Sequence, residues 1–229
     1  MDIHGLQKMT LLDYPGRVAC TVFLGGCDLR CPFCHNSELI DGTARPVMQK
    51  AELLEFLKKR KGLLDGVAIT GGEPLLRDLT GLLTEIKALG YPVKLDTNGF
   101  HPDRLRELLT QHLVDYVAMD VKNSPARYAE TVGLPAVDLA PVYDSIALLL
   151  RGKIDYEFRT TAVAELHDAE SFAAIGNMIR GAKQYYIQPF TDRESVVFSG
   201  LHAPDAAALE SFIDAVRPCV AKVSVRGAG

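Results

Sequence analysis

Strand-like and helix-like segments alternate along most of this chain of 229 residues, and that order constrains the fold more than any other feature. Alternation of this kind implies parallel strands joined by right-handed crossovers, in either a barrel or an open sheet. The predicted strands are Val18–Leu24, Gly66–Thr70, Pro92–Thr97, Val114–Lys122, Asp155–Val163 and Lys183–Pro189. The predicted helices are Lys50–Lys61, Asp78–Leu89, Asp103–His112, Val137–Leu150, Glu170–Arg180 and Pro204–Val216, followed by a short apolar end at Val220–Val225.

Charged residues near the ends of several strands favour the barrel. The pairs that share a strand face are Lys94 with Asp96, Asp120 with Lys122, and Glu157 with Arg159. Charges on a strand buried on both sides are costly unless paired, so they predict a polar cavity at the mouth of a barrel. The alternative is that some of these strands are edges with a solvated face. We expect an α/β fold, a partial (β/α)6 barrel, in a single domain over residues 1–229.

Composition narrows the function classes. The formal net charge is −4 and 48% of the residues are hydrophobic, which predicts an ordinary core and argues against nucleic acid as the main partner. No apolar run approaches the roughly 18 residues that span a bilayer. The N-terminus lacks the basic and apolar stretches of a secretory signal. We therefore expect a cytoplasmic protein with no membrane partner.

Three of the five cysteines fall close together, at Cys27, Cys31 and Cys34, directly after the first predicted strand. A disulfide framework would spread its cysteines along a short secreted chain, so metal ligation or catalysis is the better interpretation. Soft thiolates select iron–sulfur clusters, zinc or copper(I). Three thiolates with no local fourth leave an open metal position, as expected where a metal binds substrate.

The alternative for the same cysteines is a structural zinc site completed by a histidine. His35 is the nearest candidate, but its position next to Cys34 is awkward for sharing one tetrahedral ion. Cys20 lies in an apolar run and is predicted to be a small buried hydrophobe, and Cys219 stands alone.

The CxxxCxxC spacing, with the aromatic Phe33 before the last cysteine, resembles the signature of the radical S-adenosylmethionine (SAM) superfamily. The resemblance implies a [4Fe–4S] cluster on Cys27, Cys31 and Cys34, which would be both the metal ligands and the catalytic centre. The open iron would chelate the amino and carboxylate groups of SAM. Reductive cleavage of the sulfonium would then release methionine and a 5′-deoxyadenosyl radical.

The turn after the second predicted strand reads Thr70-Gly71-Gly72-Glu73-Pro74. Paired glycines let a ligand approach the backbone closely, and a carboxylate suits an ammonium group. By itself, a Gly-Gly turn between a strand and a helix is usually structural. Here it resembles the superfamily's GGE motif, which implies that Glu73 binds the methionine amino group.

Two further strand ends, Asp96-Thr97-Asn98-Gly99 and Met119-Asp120-Val121-Lys122, would by themselves pass as an Asx turn and a surface salt bridge. Both resemble the activating enzymes of glycyl-radical enzymes. That resemblance pairs Lys122 with the SAM carboxylate, and it leaves room for a monovalent cation near that carboxylate. Gln188 has the alternative of a hydrogen-bonded core amide. The resemblance assigns ten positions to cofactor binding: Phe33, Gly71, Gly72, Glu73, Asp96, Asn98, Asp120, Lys122, Arg159 and Gln188.

The N-terminal motifs Gly5–Lys8 and Leu12-Asp13-Tyr14-Pro15-Gly16, with Cys34-His35-Asn36, resemble the activating proteins of anaerobic ribonucleoside-triphosphate reductase. This implies that the target is a backbone glycine of such a reductase and that Asp13 contacts its glycyl loop. By itself, Asp13-Tyr14-Pro15-Gly16 is a turn. The chain carries no cysteine-rich insert, so its electron would come from flavodoxin or ferredoxin. The alternatives are another glycyl-radical enzyme, a small-molecule substrate, or a zinc-stabilised binding module.

Overall fold

A computed structural model describes residues 1–40 and 43–227. The strands are β1 (Asp2–Ile3), β2 (Gly5–Thr10), β3 (Ala19–Leu24), β4 (Met48–Gln49), β5 (Gly66–Gly71), β6 (Val93–Thr97), β7 (Tyr116–Asp120), β8 (Asp155–Ala162), β9 (Tyr185–Pro189) and β10 (Val223–Val225). The helices are α1 (Ser37–Ile40), α2 (Lys50–Lys59), α3 (Thr80–Ala88), α4 (Pro102–Thr110), α5 (Tyr128–Thr131), α6 (Ala140–Arg151), α7 (Ala169–Met178) and α8 (Ala206–Val216). Every predicted strand and helix is present, with ends that shift by at most three residues.

Sequence periodicity missed the short elements β1, β2, β4, α1 and α5. Strand β2 shows why, because Gln7, Lys8 and Met9 are all exposed and produce no alternation of apolar and polar residues. The strand is antiparallel to β3, with an irregularity in register between Gln7 and Thr10. The apolar end Val220–Val225 contains β10.

The chain divides into two compact units, and the boundary crosses the cysteine-bearing loop and strand β7. The first unit comprises Met1–Asp28, Glu38–Thr97 and Asp103–Val117. The second unit comprises Leu29–Ser37, Asn98–Pro102 and Ala118–Gly229. The single domain expected for residues 1–229 stays a prediction.

In the first unit, the sheet order is β2–β3–β5–β6, and β3, β5 and β6 are parallel. These strands are nearly continuous apolar runs because parallel strands are covered on both faces, and Val22, Ile69 and Leu95 are fully buried. Neighbouring parallel strands end at the same edge of a sheet. Three segments therefore start at one edge of this sheet: the cysteine loop, the Gly71-Gly72 turn and the segment after Thr97.

In the second unit, β8, β9 and β10 are parallel neighbours, and β7 lies beside β8 in the sheet order. Asp168 is the N-cap of helix α7. Its carboxylate accepts a hydrogen bond from the N–H of Ser171 at 2.7 Å, which satisfies an end group of the helix. The stacked rings of Phe172 and Phe212, 4.3 Å apart, join α7 to α8.

The predicted α/β class with mostly parallel strands is confirmed. Within residues 1–40 and 43–227, no helix has the length and apolar character required to cross a membrane.

Candidate functional site

The first cysteine lies in the first unit, just after β3. The N–H of Gly26 donates to the carbonyl of Leu39 (2.6 Å), and the carbonyl of Gly26 accepts from the N–H of Glu73 (2.8 Å). Cys27 is half-buried, and its thiol lies 3.8 Å from a carboxylate oxygen of Asp28. The backbone around Cys27 is thus fixed to the turn that follows β5.

The two glycines of that turn let backbone pack against backbone. Gly71 has a φ of +126°, a conformation that L side chains rarely adopt. A Cβ on Gly71 would lie 2.2 Å from the carbonyl oxygen of Leu24, and a Cβ on Gly72 would lie 2.1 Å from that of Gly26. Sequence analysis assigned these glycines to the approach of a ligand. It missed that the chain's own backbone also requires them.

Glu73 is buried, with 1% of its surface exposed. Its Oε1 accepts hydrogen bonds from the N–H of Leu75 and the hydroxyl of Thr97, both at 2.9 Å. The carboxylate therefore caps the short 3-10 helix Pro74–Leu76 and ties it to the end of β6. A buried carboxylate held by two donors is well oriented, which suits the ammonium-binding role that the sequence predicted.

Asp96, also in the first unit, forms an ion pair with the ammonium group of Lys94 on the same face of β6. Asn98 belongs to the second unit, where it is buried and its Oδ1 accepts from the N–H of Phe100 at 3.0 Å. This bond is the Asx turn that the sequence offered as the structural interpretation. The next carbonyl, of Gly99, accepts from the hydroxyl of Ser145 at 2.7 Å, so the turn is fixed to α6.

The other two loop cysteines lie in the second unit, where both are half-buried. Burial raises the pKa of the Cys31 thiol to about 11, although the nearby charge of Lys122 acts in the opposite direction. Burial likewise raises the pKa of Cys34. Both thiols are therefore protonated at neutral pH in the metal-free protein, and binding of a metal must release their protons.

Phe33 and His35 anchor this part of the loop. Phe33 is buried in an apolar cluster with Val163, Leu166 and Phe190. The Nε2 of His35 donates to the carbonyl of Thr191 at 2.7 Å, and its ring stacks on Phe190 with centroids 5.8 Å apart. Phe33 thus packs in the core of the unit, and its assignment to cofactor binding stays a prediction.

The cysteines carry thiols that a metal can bind. All five cysteines, each within the described residues, are thiols outside any disulfide. Across residues 1–40 and 43–227, no three His, Cys, Asp or Glu side chains are gathered as one metal ion requires. A structural zinc site needs its ligands around a single centre, whereas the thiolates of an iron–sulfur cluster bind separate irons. The Nε2 of His35 is in addition engaged by Thr191.

Three charged residues of the second unit form one cluster, which we call the charge cluster: Asp120, Lys122 and Arg159. The ammonium of Lys122 donates to Oδ2 of Asp120 at 2.9 Å, and Nε of Arg159 donates to Oδ1. All three side chains are at least three-quarters buried. Sequence analysis predicted these residues for the cofactor side, and the structure brings them together.

The pKa values in the charge cluster follow from the balance of burial and charge. Burial would raise the pKa of Asp120, but the charges of Arg159 and Lys122 outweigh it and hold this pKa well below its usual range. Burial would lower the pKa of Lys122, but the charge of Asp120 outweighs it and raises this pKa above its usual range. The cluster is therefore fully ionised at neutral pH and carries a net positive charge beside Cys31.

Sequence analysis missed three buried residues that hold the backbone after β7. The hydroxyl of Tyr128 accepts from the N–H of Lys122 at 3.3 Å, and Nε2 of His167 donates to the carbonyl of Lys122 at 2.9 Å. The amide of Asn123 donates to the hydroxyl of Thr131 at 2.7 Å. In the sequence, the only sign of this role is that these polar residues stand among apolar neighbours.

His167 is held as the neutral imidazole. Its Nδ1 lies 3.2 Å from both the backbone nitrogen and the carbonyl oxygen of Val163, and its Nε2 donates to the carbonyl of Lys122. Burial lowers the pKa of His167, which favours the neutral imidazole, in which Nδ1 accepts from the N–H of Val163 while Nε2 donates.

The two remaining predicted residues are Gln188 and Asp13. Gln188 is half-buried near the end of β9 in the second unit. Asp13 lies in the first unit, where its Oδ2 accepts from the hydroxyl of Thr21 at 2.5 Å. A turn is present one residue further along than predicted, since the N–H of Arg17 donates to the carbonyl of Tyr14 at 3.1 Å. Leu11 and Leu12, just before it, are 69% and 84% exposed. Their roles toward a cofactor or a partner stay predictions.

Comparison with known proteins identifies a family to which this chain is similar. The profile described as the Radical SAM superfamily matches residues 21–172. A protein of Methanocaldococcus jannaschii, assigned provisionally as a glycyl-radical enzyme activating enzyme, is 31% identical over 201 residues, which cover 84% of this chain and 81% of that protein. The pyruvate formate-lyase-activating enzyme of Clostridium pasteurianum is 34% identical over 127 residues, but the match covers only 53% of this chain and 52% of that enzyme.

Other relatives have a different activity. The 7-carboxy-7-deazaguanine synthase of Hyperthermus butylicus is 29% identical over 180 residues, which cover 78% of this chain and 71% of that enzyme. Among solved structures, a radical SAM methyltransferase from Sphaerobacter thermophilus superposes with a TM-score of 0.70 at 14% identity, over 95% of this chain and 68% of that one. This likeness shows the fold alone, and it confirms the type of α/β fold that the sequence predicted.

Proposed function

Because this chain belongs to the radical SAM superfamily and is related to the glycyl-radical enzyme activating enzymes, we propose that it generates a glycyl radical on an anaerobic ribonucleoside-triphosphate reductase. Its cofactors are those of the superfamily, a [4Fe–4S] cluster and SAM. The structural observation that carries the proposal is the positive charge cluster beside Cys31. The choice of target is supported by the N-terminal motifs and by the relative that is provisionally an activating enzyme.

In this proposal, Cys27, Cys31 and Cys34 supply the thiolates for the cluster. Lys122 has three donors and uses one on Asp120, so it can bind the SAM carboxylate while Asp120 holds it in position. Glu73 would bind the methionine ammonium. These contacts are charge-assisted and lie in largely buried surroundings, where such contacts are strong.

When bound, the cluster and SAM supply a one-electron cleavage of the sulfonium to methionine and a 5′-deoxyadenosyl radical. The chain's own contribution is positioning, which places the reacting groups close together before the reaction. The radical would take the hydrogen atom from Cα of the target glycine, giving 5′-deoxyadenosine and a glycyl radical. The electron would come from flavodoxin or ferredoxin, and all three proteins would work in the cytoplasm.

The segment around Asp13 supports a protein substrate. Leu11 and Leu12, the two residues before Asp13, are both largely exposed. Exposed apolar side chains beside a charged group are typical of protein contacts. We propose that Asp13 and this segment contact the glycyl loop of the reductase.

The test is electron paramagnetic resonance on the reductase after incubation with reduced enzyme and SAM under anaerobic conditions. We expect a stable doublet from a glycyl radical, with one 5′-deoxyadenosine formed per radical. Asp13→Asn should lower the radical yield but leave SAM cleavage without reductase unchanged, because Asp13 is assigned to the partner. Asp103→Asn, which removes an exposed carboxylate of α4, is the matched control and should change neither.

The alternatives predict other results. If 5′-deoxyadenosine forms but the reductase shows no doublet, the target is another glycyl-radical enzyme or a small molecule. The similarity to a 7-carboxy-7-deazaguanine synthase makes the small molecule a specific alternative. A colourless protein with stoichiometric zinc and no SAM binding would instead exclude radical chemistry altogether.

A further inference from the structure

Lys94 is an unusual residue for the interior of a sheet. Its side chain is 2% exposed, on a strand whose neighbours Val93 and Leu95 are fully buried. A buried ammonium group is costly unless a carboxylate pairs with it. The partner is Asp96, two residues along the same face of β6, with 15% of its side chain exposed. The pair is therefore an internal cation held against a carboxylate predicted to face the cofactor.

Asp120, the other aspartate predicted to face the cofactor, is also paired with cationic side chains. In the second unit, Asp120 is bound by Lys122 and Arg159, which are both largely buried. Each of these two aspartates thus has at least one protein cation in direct contact. The resemblance to activating enzymes left room for a monovalent cation near the cofactor carboxylate. The residues present do not fit that ion, because the chain already neutralises both carboxylates.

We propose that Lys94 takes the place of a monovalent cation beside Asp96, so that this enzyme binds SAM without a bound sodium or potassium ion. The inference rests on the assignment of Asp96 to the cofactor side but not on the identity of the protein substrate. It makes Lys94 a positioning residue that acts through Asp96.

Removal of Lys94 should create the cation site that the wild type lacks. In Lys94→Met, the carboxylate of Asp96 loses the ammonium group that pairs with it in a largely buried position, where removal of one member of an ion pair is strongly unfavourable. Carboxylate oxygens are ligands that hard cations prefer, so sodium or potassium should bind there from solution. The double variant Lys94→Met/Asp96→Asn removes both charges and is the matched control.

The first experiment follows thermal unfolding of the metal-free protein in potassium chloride, sodium chloride or tetramethylammonium chloride at one ionic strength. An ion that binds only the folded state raises its melting temperature. We expect the same melting temperature in all three salts for the wild type and the double variant. For Lys94→Met, we expect a higher melting temperature in potassium or sodium than in tetramethylammonium.

The second experiment measures SAM binding to cluster-loaded protein by calorimetry in the same salts. The wild-type dissociation constant should not depend on the cation, whereas Lys94→Met should bind SAM about tenfold more tightly with the small cation, an order typical of one added charge contact. A wild type that needs potassium or sodium for SAM binding overturns the proposal, and this measurement is decisive even if Lys94→Met does not fold. The proposal is also overturned if the Lys94→Met variant folds but its melting temperature and SAM affinity are the same in all three salts. Failure of the reductase assay would leave both results unaffected.

Discussion

An alanine at position 72 tests whether the turn after β5 holds the cysteine-bearing loop in position. The added Cβ would lie 2.1 Å from the carbonyl oxygen of Gly26, 2.7 Å from its carbonyl carbon and 3.2 Å from Cβ of Cys27. The nearest of these atoms belong to backbone, which cannot rotate away as a flexible side chain can. The loop must therefore move by roughly 1 Å to restore van der Waals contact.

The cost has two parts. Forcing a methyl group into packed backbone costs about 1–3 kcal/mol. The displacement also breaks the 2.8 Å hydrogen bond from the N–H of Glu73 to the carbonyl of Gly26, which contributes about 0.5–1.5 kcal/mol. The free energy of unfolding should thus fall by about 1.5–4.5 kcal/mol, and the melting temperature by about 3–18 °C. Because Cys27 moves with Gly26, the protein should also incorporate less iron.

The assay compares thermal unfolding of the metal-free proteins by circular dichroism, then measures iron and sulfide after anaerobic reconstitution. Gly81→Ala is the control, because Gly81 is exposed in α3 and its Cβ would meet nothing within 4 Å. This control should leave stability unchanged or raise it by up to about 1 kcal/mol, since alanine favours helix. Wild-type stability and iron content in Gly72→Ala would refute the proposed contact.

Three further outcomes are expected. Lys122→Ala should weaken SAM binding by about one to two orders of magnitude, because one charge-assisted contact is lost. Iron content should change little, and calorimetry on cluster-loaded protein measures the SAM affinity. The metal-free protein should lose stability as the pH falls below about 6.5, because the unfolded state binds a proton that buried, neutral His167 does not. His167→Gln should flatten that slope in urea unfolding at pH 5.5 and 7.5. Cys34→Ala should abolish cluster binding, whereas Cys20→Ala should retain the iron, because Cys20 is fully buried in β3.

The strands of the sheet and the candidate residues at their ends could be predicted from the sequence because both depend on short-range patterns. Runs such as Val67–Ile69 are apolar on both faces, and Asp120 and Lys122 lie two residues apart, so one strand face holds both. Burial of Cys20, whose pKa rises to about 12, also followed from its apolar neighbours.

Residues distant along the chain could not be paired in this way. His167 contacts the carbonyl of Lys122 from 45 positions away, and Arg159 reaches Asp120 across 39. No period or motif links such positions, because the pairing of β8 with β7 and the course of the chain just before α7 bring them together. Gly72 is a similar case. It must lack a side chain because the backbone of Gly26, far earlier in the sequence, packs against it.

The anchoring of Lys122 has a consequence for the thermodynamics of cofactor binding. Its N–H, its carbonyl and its ammonium group are each fixed by a different residue: Tyr128, His167 and Asp120. A lysine side chain that is mobile before binding loses rotamer entropy when a ligand immobilises it, and this loss weakens affinity. Here folding has already ordered the side chain. The proposed site is preorganised, so SAM bound by Lys122 would not incur the entropic penalty that a flexible surface lysine imposes.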